Sequence, residues 1–194
     1  MLLFAHTGIT LGLTLGWEKG LGRPIPLPSK IIPQKFDTVA REIDYRLVLV
    51  GSMLPDIIDK PIGHFFFADT FDNNGRIFAH TLLFFLLLLG YGLFRFFHYG
   101  KNGVLVVALC SGFHLILDEM WLNTTTLFWP MKGWAFPESD YEDLEDWLSF
   151  VQESAQTEFL AYISETIGLV ILLAVALTLW KNKKVLSFLR RGTV

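Results

Sequence analysis

Histidine and aspartate recur in segments that are otherwise hydrocarbon. In Ser111-Gly-Phe-His-Leu-Ile-Leu-Asp-Glu-Met-Trp121 the two polar residues His114 and Asp118 stand four apart, so on a helix they share one face. His80 lies in Arg76-Ile-Phe-Ala-His-Thr-Leu82 and two acids close Leu54-Pro-Asp-Ile-Ile-Asp59; His6 and Glu165 sit in the first and last apolar runs. Burying such groups in a membrane is costly, so they mark a candidate functional site. Imidazole and carboxylate are ligands for zinc first, and for manganese or iron as alternatives. A bound cation would also neutralise carboxylates in a low dielectric. The candidate metal ligands are His6, Asp56, Asp59, His80, His114 and Asp118, enough for one ion or for two bridged by an Asp. The matching chemistry is hydrolysis, because a metal brings the pKa of bound water to about 7 and polarises a carbonyl or phosphoryl oxygen. Asp59 or Glu165 is then a spare carboxylate for general-base work, and Arg76 is an anion binder near His80.

Each residue also has a structural reading. His114 with Asp118 is equally the kind of hydrogen-bonded pair that locks two helices, and Asp56 can cap a helix beside Pro55. His80 can bond a neighbouring carbonyl. Asp59 can pair with Lys60 at the surface, His6 can lie at the interface, and Glu165 can be a protonated, hydrogen-bonded acid. His64 and His98 read as surface residues.

These residues need elements to position them. The chain has 194 residues, 52% of them hydrophobic, with 18 Phe and only 18% charged, below the usual quarter. The expected class is therefore an all-α, polytopic membrane helix bundle in a single domain. A net charge of −3 gives no reason to expect a nucleic-acid partner. The lone Cys110 cannot form an internal disulfide. Spans are expected at about 2–17, 45–58, 76–97, 104–121 and 158–180. The first is short against the ~20 residues a span needs, and it reads as a retained helix rather than a signal peptide. Pro55 is expected to bend or stop the second. Residues 18–44 form a proline-rich basic loop. Residues 122–157 form an acidic extracytoplasmic segment, in which Ser139-Asp-Tyr-Glu142 reads as a capping box. An amphipathic helix follows it, with Leu144, Trp147, Leu148 and Val151 on one face.

Basic residues cluster in the 18–44 loop, around Arg95 to Lys101, and after Trp180. By the positive-inside rule these regions and the C-terminus face the cytoplasm. Every expected span then carries at least one candidate ligand in the outer half of the bilayer, and the inner half has no acid or His to match them. That shared depth points to one site on the extracytoplasmic side.

Leu54-Pro-Asp-Ile-Ile-Asp59, Arg76-Ile-Phe-Ala-His-Thr-Leu82, and His114-Leu-Ile-Leu-Asp118 followed by Thr126-Leu-Phe-Trp-Pro130 together resemble the bacterial inner-membrane metal-dependent hydrolase family. That family has a distant likeness to zinc-dependent phospholipase C. The resemblance runs from His6 to about Pro130. Two departures stand out: Gly75 occupies the position of the family's first third-motif His, and the Asp56–Asp59 pair has one extra residue between its acids. The resemblance implies a bacterial inner-membrane location and hydrolytic metal chemistry, without a substrate.

The expectation is a membrane-bound, metal-dependent hydrolase acting on a lipid-like or membrane-borne ester, a phosphoester above all, with the bilayer as its surroundings. Two other classes stay open: a cation-handling transporter, and a non-catalytic membrane scaffold whose polar cluster is structural.

Overall fold

The computed structural model describes residues 3–17, 43–138, 149 and 159–194. Both the proline-rich loop at 18–42 and the amphipathic helix expected after Ser139 lie outside the described residues. Among the described residues the fold is all-helical, with no strand. A π-helical turn, Ala5–Ile9, runs into α1 (Thr10–Gly16). Then come α2 (Tyr45–Pro61), a second π-helical turn (Ile62–Phe66) and the short α3 (Ala68–Phe71). The helices α4 (Leu82–Tyr99) and α5 (Gly103–Leu117) form a hairpin, followed by the short α6 (Thr124–Leu127). The chain ends in α7 (Phe159–Lys181) and α8 (Val185–Arg191).

Two helices are long and apolar enough to cross a membrane, at Leu82–Tyr99 and Tyr162–Lys181, while Gly103–Leu117 is apolar but shorter. At ~1.5 Å per residue, 18 residues give about 27 Å, close to the hydrocarbon thickness. Leu83, Leu86 and Leu87 on α4 and Leu169, Val170, Leu173 and Leu177 on α7 turn outward. These are faces that suit lipid rather than water.

Three boundaries differ from the sequence expectation. Pro55 does not stop α2, which continues to Pro61. Tight packing holds it there: a side chain at Gly51 would lie 2.8 Å from the Val107 backbone of α5. The third helix starts at Leu82 rather than at 76, because the Thr81 hydroxyl caps it by accepting from the Phe84 N–H at 3.0 Å. Residues 76–81 instead wrap around Asp59. The fourth helix ends at Leu117, and the next turn passes through Glu119 at φ 52°.

A core of Leu11, Tyr45, Val48 and Cys110 fills the centre, flanked by Leu172, Val175 and Phe188. At the basic end, α8 folds back onto the start of α2. The Tyr45 N–H donates to the Gly192 carbonyl at 2.9 Å, and Arg46 Nη1 donates to the Leu189 carbonyl at 2.9 Å. Arg46 also pairs with Asp44 at 2.6 Å, and that hydrogen bond holds the Asp44 carboxyl below its usual range. The polar cluster lies at the opposite end.

Candidate metal centre

Asp59 is completely buried in the last turn of α2. Its carboxylate accepts the backbone N–H groups of Ile77 (2.9 Å), Ala79 (2.9 Å) and His80 (3.1 Å). Those donors come from the non-helical stretch before α4, which is why that stretch is not helical: one carboxylate takes the place of the missing intrahelical acceptors. The same carboxylate stands 2.7 Å from His80 Nδ1. Asp59 is acceptor-only when ionised, so Nδ1 carries a proton, and in its neutral form the ring presents a lone pair at Nε2.

His114 is fixed in the same way from the other side. Its Nδ1 lies 2.7 Å from the Ser52 carbonyl of α2. A carbonyl only accepts, so this nitrogen also carries the proton and Nε2 is again the lone-pair nitrogen. The Nε2 atoms of His80 and His114 face each other at 3.3 Å, and both rings are fully buried. Two opposed lone pairs at that distance repel unless a cation or a proton lies between them. Two nitrogens bound tetrahedrally to one zinc at ~2.0–2.1 Å stand about 3.4 Å apart, so the spacing fits a shared ion.

Two carboxylates complete the centre. Asp56 Oδ1 lies 3.6 Å from His80 Nε2 and 3.9 Å from His114 Nε2. Asp118 Oδ2 lies 3.8 Å from His80 Nε2 and 3.9 Å from His114 Nε2. His6 enters from the π-helical turn, with Nε2 2.9 Å from Asp118 Oδ1 and its ring centroid 4.1 Å from that of His114. π-Turns are rare and concentrate at functional sites. Asp56, His80 and His114 bring one ligand atom each within 4.8 Å of one another; His6, His114 and Asp118 do the same in a second group that shares His114.

Five of the six expected ligands thus converge. The sixth, Asp59, sits behind His80 and orients it, as outer-shell carboxylates do for ligating imidazoles. Glu165, expected as a base, instead accepts the backbone N–H groups of Phe4 (2.9 Å) and Ala5 (3.2 Å). It ties α7 to the segment that carries His6. The helices almost touch here: an added side-chain carbon at Gly8 would strike the Gly168 backbone, and one at Gly168 would strike the Phe4 backbone. Arg76 lies at the rim, its Nη2 3.1 Å from Asp118 Oδ2.

Ser52 and Lys60 escaped the sequence reading as site residues. Ser52 acts through its backbone carbonyl, which no residue-type pattern reveals. Lys60 had a signal, its i,i+4 spacing from Asp56, and its Nζ lies 2.8 Å from Asp56 Oδ2.

A family model described as YdjM inner membrane protein matches residues 1–188. No curated protein and no solved structure matches the chain. The chain belongs to the YdjM inner membrane protein family and is a bacterial inner-membrane protein.

Proposed function

We propose that this protein is a membrane-embedded, metal-dependent hydrolase of a lipid-like or membrane-borne ester or phosphoester, with zinc as the first candidate metal and manganese or iron as alternatives. One observation carries the reading: two buried imidazoles, each locked at Nδ1, direct their Nε2 atoms at one point between two carboxylates. When bound there, the ion would supply an activated water and a Lewis acid for the scissile group. His80, His114, Asp56 and Asp118 would hold it, with His6 closing the set from the π-helical turn before α1. Asp59 and the Ser52 carbonyl keep the two imidazoles in the ligating tautomer. Asp59 and Glu165, the expected bases, both accept backbone N–H groups, so a carboxylate beside the ion, Asp56 or Asp118, would take the proton of the water. Arg76, at the rim, meets the anionic part of the substrate.

In this reading the single domain crosses the membrane as five helical passes, with the centre toward the extracytoplasmic side and the C-terminus inside. Support comes from the basic end: Arg46 meets Leu189 of α8, and the 101–103 turn adjoins Leu47, so several cations gather opposite the cluster. The direct test is hydrolysis of surrogate carboxylic and phosphate esters by detergent-purified protein, before and after metal stripping. Turnover that disappears on stripping and returns with zinc is the expected result; turnover indifferent to metal would refute the hydrolase.

A second reading, cation transport, draws on two buried hydroxyls, Thr10 and Ser111, which have no hydrogen-bond partner among the described residues. They lie about one turn deeper than His6 and His114. Metal flux into liposomes, without ester turnover, would favour it.

A further inference from the structure

We propose that Lys60 and Arg76 form a two-cation anion subsite at the mouth of the cluster, and that it takes the phosphate group of the substrate. The inference rests on the hydrolase reading and narrows its substrate class. The His80 and His114 side chains are 0% exposed, that of Asp118 is 4% and that of Asp56 is 9%, whereas those of Lys60 and Arg76 are 35% and 44% exposed. A ligand approaching the centre therefore meets these two cations first. Each pairs with a different carboxylate of the cluster, Lys60 with Asp56 Oδ2 and Arg76 with Asp118 Oδ2.

The chain plants both of them. Lys60 is on the last turn of α2, one turn past Asp56. The Arg76 backbone is gripped on both sides: its own N–H donates to Asn74 Oδ1 at 2.8 Å, and the Ile77 N–H donates to Asp59. Asn74 is in turn anchored by donating to the Pro137 carbonyl at 2.7 Å. A side-chain carbon at Gly75 would strike the His64 imidazole and lie 3.3 Å from Lys60 Cγ, so the glycine leaves the backbone just before Arg76 close to the Lys60 stem.

Two fixed positive charges beside a metal-type centre suit a group with several charged oxygens. A guanidinium fork and an ammonium match phosphate better than they match a single carboxylate. If the two cations served only to neutralise Asp56 and Asp118, the charge-conserving Arg76→Lys would bind phosphate as the parent does, because only the guanidinium fork is lost. Removing a cation from beside a ligand carboxylate also does not weaken metal binding, which separates the two roles.

The experiment uses full-length protein in nanodiscs of phosphatidylcholine, loaded with zinc. Calorimetry measures binding of inorganic phosphate, of a short-chain phosphatidic acid, and of acetate; elemental mass spectrometry measures metal in the same samples. Saturable phosphate binding is expected. Lys60→Gln and Arg76→Gln should each weaken it about tenfold or more, as loss of a charge-assisted hydrogen bond does. Arg76→Lys should restore part of the loss, and metal content should hold in all three variants. Phosphatidic acid binding at least tenfold more tightly than phosphate identifies a lipid headgroup as the source; equal affinity identifies free phosphate, and either result supports the subsite. Acetate binding as tightly as phosphate would overturn it, as would phosphate affinity unmoved by both substitutions. A parent protein without metal would sink the hydrolase reading instead, and the phosphate titrations would still decide the subsite.

Discussion

His80 and His114 are held by buried hydrogen bonds within the α2–α4–α5 part of the molecule, whereas His6 is delivered by a helix docked on α7 through glycines. In the first region the two imidazoles are fixed by buried polar partners with almost no water access: Asp59 alone serves three backbone donors and one imidazole. In the second, the contact is backbone against backbone at Gly8 and Gly168, with Glu165 adding two hydrogen bonds. Half of the centre is thus built by local electrostatics and half by shape. A buried carboxylate cannot be removed without leaving orphaned donors, while a docked helix can shift by a fraction of an ångström and carry its side chain with it.

The largest effect is expected at Asp59. Asp59→Ala strips the partner from His80 and leaves three buried N–H groups unmatched, which should cost about 3–5 kcal/mol. Reversible unfolding in mixed detergent would measure it; a loss below 1 kcal/mol would show that the 76–81 stretch has other acceptors. Next comes Gly168→Leu. A side chain there must push the His6 segment away, costing about 1–3 kcal/mol as overpacking does. Zinc affinity should fall while the α2–α4–α5 part stays folded, as read by limited proteolysis. Unchanged affinity would remove His6 from the centre. Glu165→Ala should be milder, at about 1–2 kcal/mol for two hydrogen bonds, with a corresponding drop of roughly tenfold in zinc affinity. Glu165→Gln keeps one acceptor oxygen and should lie between the parent and the Ala variant; a complete loss of turnover with metal retained would instead return Glu165 to the role of base. The smallest effect is expected for Ser52→Ala. His114 is oriented by the backbone carbonyl of residue 52, and the hydroxyl only donates to Leu49 at 2.9 Å. Metal content should not change, and stability should drop by no more than about 1 kcal/mol.

The same two regions mark what the sequence discloses. His114 and Asp118 were legible because i,i+4 spacing in an apolar run has few bland explanations, and the common depth of His6, Asp56 and His80 pointed to their convergence. The long apolar helices were legible from length alone. Other features were not. Asp59 is one more acid by composition; only the fold shows that it faces backbone donors from residues 77–80. The start of α4 was misplaced by six residues because apolar periodicity runs through 76–81, while the capping signal, Thr81, is local and short. An acid in a span invites a catalytic reading of Glu165, while its backbone-amide partners lie 160 and 161 positions away in sequence. Such long-range pairings leave no trace in spacing.

The central claim is that His80 and His114 share one metal ion with Asp56 and Asp118. The most direct measurement is metal content by elemental mass spectrometry on detergent-purified protein, beside His114→Ala, Asp118→Ala and His98→Ala variants of checked folding. About one equivalent of zinc, manganese or iron is expected in the parent. The metal should be lost in the first two variants and kept in the third, since His98 stacks on Phe94 far from the cluster. A parent that holds no metal even after reconstitution would contradict it, and the cluster would then be a structural network of histidines and aspartates.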